Sequence, residues 1–314
     1  MTTPLRVFAL ATALVPVLQA SPPGFVMWSA AELERRDAAL SARVGADHSA
    51  RETLADYGDP SGAHRFRFIR READGVPEQH AHIEDVVLIK SGRATVVVGG
   101  ELVDRSGRNG EFRGTRITGG TRYAVGSGDI MRIPADTPHR YLVPSGGHVT
   151  YVLVRVPAFV GVPISRADAA DLAFDPPGFV LWQSAELGRR DAALSERVGP
   201  DHSARETLAD FGNPSGAHRF RFIHRDADGA PEIHDEIIDV VFVRSGEGTL
   251  LVGGDMLNRS GSLGTGIAGG MRHPVAAGDL LHIPAQTPHG YLVPEGGHVT
   301  YVLVRVPAFV VEAQ

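Results

Sequence analysis

The sequence contains no cysteine. That absence excludes disulfides, thiolate metal sites and cysteine nucleophiles, so any bound metal must be held by His, Asp or Glu. It also lacks a basic block. Its 31 lysines and arginines are interleaved with 37 acidic residues, as in "ELERRDAAL", for a net charge of −6. Such faces are solvated, and they argue against nucleic acid as a partner. No segment after residue 20 is apolar for long enough to span a bilayer. A P-loop, a nucleophile elbow and a dinucleotide-binding glycine motif are missing as well.

What is there begins with Arg6 followed by the apolar run "VFALATALVPVLQA". The run is too short for a membrane span and reads as an export signal over residues 1–20, cut after the small Ala20. The expected mature chain starts at Ser21 in the periplasm or outside the cell, with no membrane contact once the signal is removed. The remainder reads as globular, and its length suits about two domains.

Those domains are copies of each other. "PPGFVMWSAAELERRDAALSARVGADHSARETLADYG" starts at Pro22, and "PPGFVLWQSAELGRRDAALSERVGPDHSARETLADFG" starts at Pro176. Both copies end in "GGHVTYVLVRVPAFV". The second has a shorter loop between Gly254 and Gly278. The expected domains are residues 21–160 and 176–314, with residues 161–175 as linker. A repeat this long is a duplicated domain rather than a solenoid. Positions where the copies differ therefore say more than positions they share.

Each copy opens with a helix. Ser29 and Glu32 form an S-x-x-E capping box, and the second helix is expected over roughly 185–198. The rest is patterned as short strands between Gly and Pro turns, which predicts a sandwich or jelly-roll barrel. "DVVLIKSGRATVVVGG" reads as two strands joined at Ser91-Gly92.

In "PEQHAHIEDVV", His80 and His82 share one face of a strand, because side chains alternate. His139, in "IPADTPHRY", can join them from a partner strand. Three imidazoles and a carboxylate leave open positions on an octahedral ion, which suits Fe(II) or Mn(II), with Zn or Ni also able to bind. The carboxylate is Glu84 or Asp85. Glu84 keeps the alternation. Asp85 is favoured because it recurs as Asp239, whereas Glu84 becomes Ile238; a bulge would turn it inward. The second copy offers His234, Glu236, Asp239 and His289, a harder and more anionic set. Tyr141 points the same way as His139 and is a candidate to donate a hydrogen bond to substrate, with packing as the alternative role. Arg132, whose counterpart is His282, can bind an anionic substrate if it faces inward. If Glu84 is not a ligand, it is a candidate acid or base.

These residues resemble the cupin superfamily. Its first motif, H-x-H-x(3,4)-E-x(6)-G, is approached by His80, His82, Asp85 and Gly92. Its second, G-x(5)-P-x-G-x(2)-H-x(3)-N, is approached by Gly128, Pro134 and His139. The interval from His82 to Asp85 is shorter than the pattern. In the second copy His234, Asp239, Gly246, Gly278, Pro284 and His289 match, and Glu236 departs. The resemblance implies an all-β chain of two tandem cupin jelly-roll barrels, each preceded by a short helix. It implies a divalent metal and a small-molecule partner. It also makes a dioxygenase- or oxalate-decarboxylase-like enzyme the leading function for an oxygen-rich substrate. A noncatalytic binding protein and a non-redox isomerase or lyase are the alternatives. A homodimer is also compatible.

Overall fold

The computed structural model describes residues 21–159 and 175–308. The expected export signal and residues 161–174 of the expected linker lie outside them.

One strand organises each repeat. In the first it is Ile83–Val98, 16 residues long. Its early half pairs with Ile130–Ile133 and Val149–Pro157, and its late half with Thr121–Gly126 and His139–Leu142. A single strand thus passes from one sheet to the other and closes the barrel. The turn expected at Ser91-Gly92 is a bend inside this strand. Gly92 has φ +75°, and a Cβ there would lie 2.0 Å from the carbonyl oxygen of His148, so no other residue fits. Ile237–Val252 repeats the design, with its bend at Gly246.

The period of two along these strands sorts side chains into separate cores. In the first repeat Val87 and Ile89 face the barrel interior with Val96, Met131, Tyr141 and Tyr151. Val86 and Leu88 face outward into a larger core shared with the second repeat, where they join Phe66, Phe68, Phe220, Phe222 and Phe242. The helices Ala30–Ser41 and Ser184–Ser195 bury Leu33, Leu40, Leu187 and Leu194 in the same shared core. Ser29 Oγ accepts the Glu32 N–H at 3.2 Å, one half of the expected box. The second helix starts after Gln183, which makes no side-chain cap.

The repeats also trade strands. Val26–Trp28, from the first repeat, pairs antiparallel with Leu280–Ile283 of the second. Val180–Trp182 returns the exchange by pairing with Ile130–Arg132 of the first. Phe25 therefore sits in the interior core of the second barrel, and Phe179 and Leu181 sit in that of the first. Each crossing is anchored at the helix that follows. Asp279 accepts the Ala30 N–H at 2.7 Å, and Asp129 accepts the Ser184 N–H at 2.7 Å. These carboxylates meet the N-terminal, electropositive ends of the two helices.

Candidate metal centres

The strand Glu78–His80 lies beside His139–Leu142 at the inner end of the first barrel, with His139 opposite Glu78. Alternation then puts Glu78 and His80 on one face and Gln79 on the other. The chain bends at Ala81 and His82 before the long strand begins at Ile83. That bend resets the parity, so Asp85 points inward with Val87, and Glu84 points outward with Val86.

Four donors converge as a result. Glu78, His80 and His139 each offer an atom within 4.8 Å of the others. Asp85 Oδ2 lies 3.7 Å from His80 Nε2 and 3.5 Å from His139 Nε2, and His139 Nε2 lies 3.8 Å from Glu78 Oε1. The second barrel assembles the same four residue types. His234, Asp239 and His289 form the tight group, with Asp239 Oδ2 at 3.5 Å and 3.3 Å from the two imidazoles. Glu232 stands 3.5 Å from His234 Nε2.

Three of the sequence-derived ligands are placed elsewhere or in different company. His82 is exposed and its ring lies against Gly110, outside the cluster. Glu236 is exposed too. Both sit in the bend, where a side chain no longer follows the alternation of the strand before it. The strand-parity argument for Glu84 as a ligand fails for the same reason. Glu84 is 1% exposed between the barrels, bound by Arg132 and, through Oε1, by His218 Nδ1 at 2.7 Å. Arg132 donates to the Gly178 carbonyl at 2.7 Å and lies 3.8 Å above the Phe211 ring. Neither residue faces the donor cluster, so neither is placed to handle substrate there. Tyr141 is buried beside the cluster, stacked on Tyr151 with ring centroids 4.7 Å apart.

The residues that sequence reasoning missed are Glu78 and Glu232. The signal was present, since Glu precedes His by two in both "PEQH" and "PEIH". With Glu78 in the place of the first histidine, Glu78, His80 and Asp85 satisfy the interval H-x-H-x(4)-E, and the shortened spacing noted above disappears. Glu232, His234 and Asp239 do the same.

The surroundings fit a divalent cation. His139 Nδ1 lies 3.1 Å from the Thr137 carbonyl oxygen, and His289 Nδ1 lies 3.0 Å from that of Thr287. A carbonyl only accepts, so each Nδ1 carries the proton and each Nε2 presents a lone pair to the cluster, the form a metal requires. Asp85 Oδ1 and Asp239 Oδ1 are buried without a hydrogen-bond partner. A buried carboxylate oxygen left so is costly unless a cation compensates it. Two carboxylates and two neutral imidazoles sum to the charge that balances a divalent ion. Behind them, Arg71 lies 3.6 Å from Glu78 and donates to Tyr151 Oη at 3.0 Å, and Arg225 stands likewise behind Glu232. Burial opposes the charged form of Glu78, but His139 and Arg71 outweigh it and hold the carboxyl below its usual range. Burial lowers His139, while Asp85 and Glu111 outweigh burial at His80 and raise it.

The barrels differ around this common core. The longer loop of the first repeat forms a hairpin, Ser106–Arg108 with Glu111–Arg113, whose second strand pairs with Glu78–His80. It sets Glu111 Oε2 2.9 Å from His80 Nδ1, a close but poorly aligned contact, while Glu111 holds Arg155 by two bonds of 2.9 and 3.2 Å. Burial pushes the Glu111 carboxyl up, yet His80 and Arg155 bring it down to about 2.

No protein-family model matches the chain, and no curated protein matches it. Solved structures do. A Pseudomonas aeruginosa protein described as glyoxylate-induced aligns over 95% of both chains with a TM-score of 0.53 and 12% identity. The salicylate 1,2-dioxygenase of Pseudaminobacter salicylatoxidans aligns over 95% of this chain and 90% of its own, with a TM-score of 0.55 and 13% identity. At such identities the likeness is one of fold.

Proposed function

Taking as premise that the chain is a bicupin, two cupin barrels in one polypeptide, we propose that it is a metal-dependent enzyme acting on a small carboxylic acid. The observation that carries this reading is the convergence of Glu78, His80, Asp85 and His139, with the Asp85 carboxylate buried and Oδ1 unpartnered. A mixed imidazole and carboxylate set suits Mn(II) or Fe(II) better than softer ions, with Zn and Ni as competitors. Once bound, such an ion supplies a Lewis acid that polarises a substrate oxygen, and with Fe(II) or Mn(II) it also supplies redox capacity.

The chain's own residues argue for the acid. Beside the first cluster lies a cavity of about 600 Å³, lined by five arginines, Arg67 and Arg155 among them, and by the carboxylates Glu52, Asp59 and Glu111. That volume suits a small molecule. Arg65 stands directly opposite Arg155 across paired strands, and each has its own carboxylate, Asp56 at 2.7 Å and Glu111 at 2.9 Å. Arg67 is half-buried, and among the described residues none forms an ion pair with it. Burial and the neighbouring Arg155 and Arg65 hold its guanidinium below its usual value. Arg67 would receive a substrate carboxylate. Arg155, tied to Glu111, would fix the orientation of that carboxylate relative to the donors. Tyr141 and Tyr151 lie buried in the barrel core behind the donors.

The reading is tested by elemental analysis of the full-length protein purified without chelator, followed by oxygen uptake and carbon dioxide release over a panel of small aromatic and dicarboxylic acids. Bound Mn or Fe with turnover of one acid, and a raised KM for that acid in Arg67→Ala, supports it. Full turnover in protein stripped of metal would sink it.

A further inference from the structure

The two clusters share their donors, but one arginine differs in where it points. In the first barrel Arg155 is held on Glu111. The second repeat has a shorter loop there, with only an isolated bridge between Ser260 and Leu263 in place of the hairpin, and no carboxylate stands where Glu111 does. Arg305, the counterpart of Arg155, lies instead with Nη2 3.2 Å from His234 Nε2. A guanidinium only donates, so this contact uses the Nε2 lone pair. That lone pair is the one the second cluster would offer to a cation. The guanidinium also places a fixed positive charge beside the position a divalent ion would take.

We propose that Glu111 is a positioning residue that makes the first barrel the loaded metal site, and that Arg305 keeps metal out of the second. Glu111 acts twice. It occupies the Nη donors of Arg155, which lies opposite Asp85, so that they do not turn to His80 Nε2, and its carboxylate stands 2.9 Å from His80 Nδ1, behind the imidazole whose Nε2 faces Asp85. The second barrel has neither service. This inference rests on the metal reading above, yet it can fail while that reading stands.

The test is metal content and chelator competition on the full-length protein, with Mn(II) as the probe. Wild type should carry about one ion per chain. His139→Ala should remove it, and His289→Ala should leave it in place. Arg305→Met should raise the content to about two per chain. Glu111→Gln should weaken the first site by roughly 10- to 100-fold, the usual effect of losing a supporting partner. Glu111→Gln combined with Arg155→Met should recover much of that loss, a rescue that damaged folding would not give. Two ions per wild-type chain, or one ion in a folded Arg305→Met chain, overturns the inference alone. Wild type that binds neither Mn(II) nor Fe(II), Zn(II) or Ni(II) overturns both the inference and the metal reading.

Discussion

At the scale of single residues, the donor sets rest on where each strand stops alternating. His82 fits the sequence pattern of a ligand and is exposed, while Glu78 fits it less well and is at the cluster. Glu78→Gln should therefore lower Mn(II) affinity at least about 10-fold, and His82→Ala should leave it unchanged, both read by chelator competition. The opposite ranking would return His82 to the site. His80, Asp85 and the second-motif His139 were legible because their types and intervals repeat. The bend at Ala81-His82 was not legible, because one residue of irregular backbone reverses every inward and outward assignment after it. His282 gives a second expectation. Its ring is buried between the barrels, stacked on Tyr57 at 4.3 Å, with Nδ1 2.8 Å from the Gly24 carbonyl oxygen and Nε2 unpartnered. Burial lowers its pKa to about 4, against 6.5 for the free side chain. Between those values the unfolded chain binds the proton and the folded chain does not. Its contribution to stability is thus complete above pH 6.5 and is lost as the pH falls toward 4, by up to about 3 kcal/mol. Denaturant unfolding across this range should show a shallower loss in His282→Gln than in wild type.

At the scale of elements, the strand pattern announced a barrel, and the helices fell within a residue or two of their expected starts. The long strands were read as pairs because Ser91-Gly92 resembles a turn; the chain instead continues through a glycine bend, which only the close approach of the His148 carbonyl explains. The exchange of Val26–Trp28 and Val180–Trp182 had no sequence signal, since both copies carry the same apolar segment and either sheet accepts it. The energetic weight of that exchange can be measured. Trp182 is 1% exposed and packs on Phe220 with ring centroids 5.0 Å apart. Trp182→Ala should cost about 3–5 kcal/mol in equilibrium unfolding. A loss under 1 kcal/mol would mean that the crossing strand contributes little.

At the scale of the whole molecule, the copies also diverge where they meet. Glu84, Arg132 and Phe211 occupy one side of the shared interface, and the corresponding Ile238, His282 and Tyr57 occupy the other. The substitutions are matched in contact. Arg132 serves Glu84 and Phe211, as His282 serves Tyr57, so the charged network belongs to the seam between barrels and not to the chamber where sequence reasoning placed it. Among the described residues no helix is long and apolar enough to cross a membrane. Because every barrel borrows a strand, a chain cut to residues 21–160 keeps a donor strand and an acceptor edge that no longer meet each other's partner. Such a fragment should assemble as a homodimer, each copy supplying the missing edge to the other, and sedimentation should find twice the fragment mass. A folded fragment of single mass would contradict this.

That reciprocity carries a history. Two identical polypeptides clasping one another have their association set by dilution, and a covalent tether between them frees it from concentration. Once fused, the halves no longer need to be alike, and each can lose what the other retains. A shortened loop and a reoriented arginine on one side are what such freedom permits.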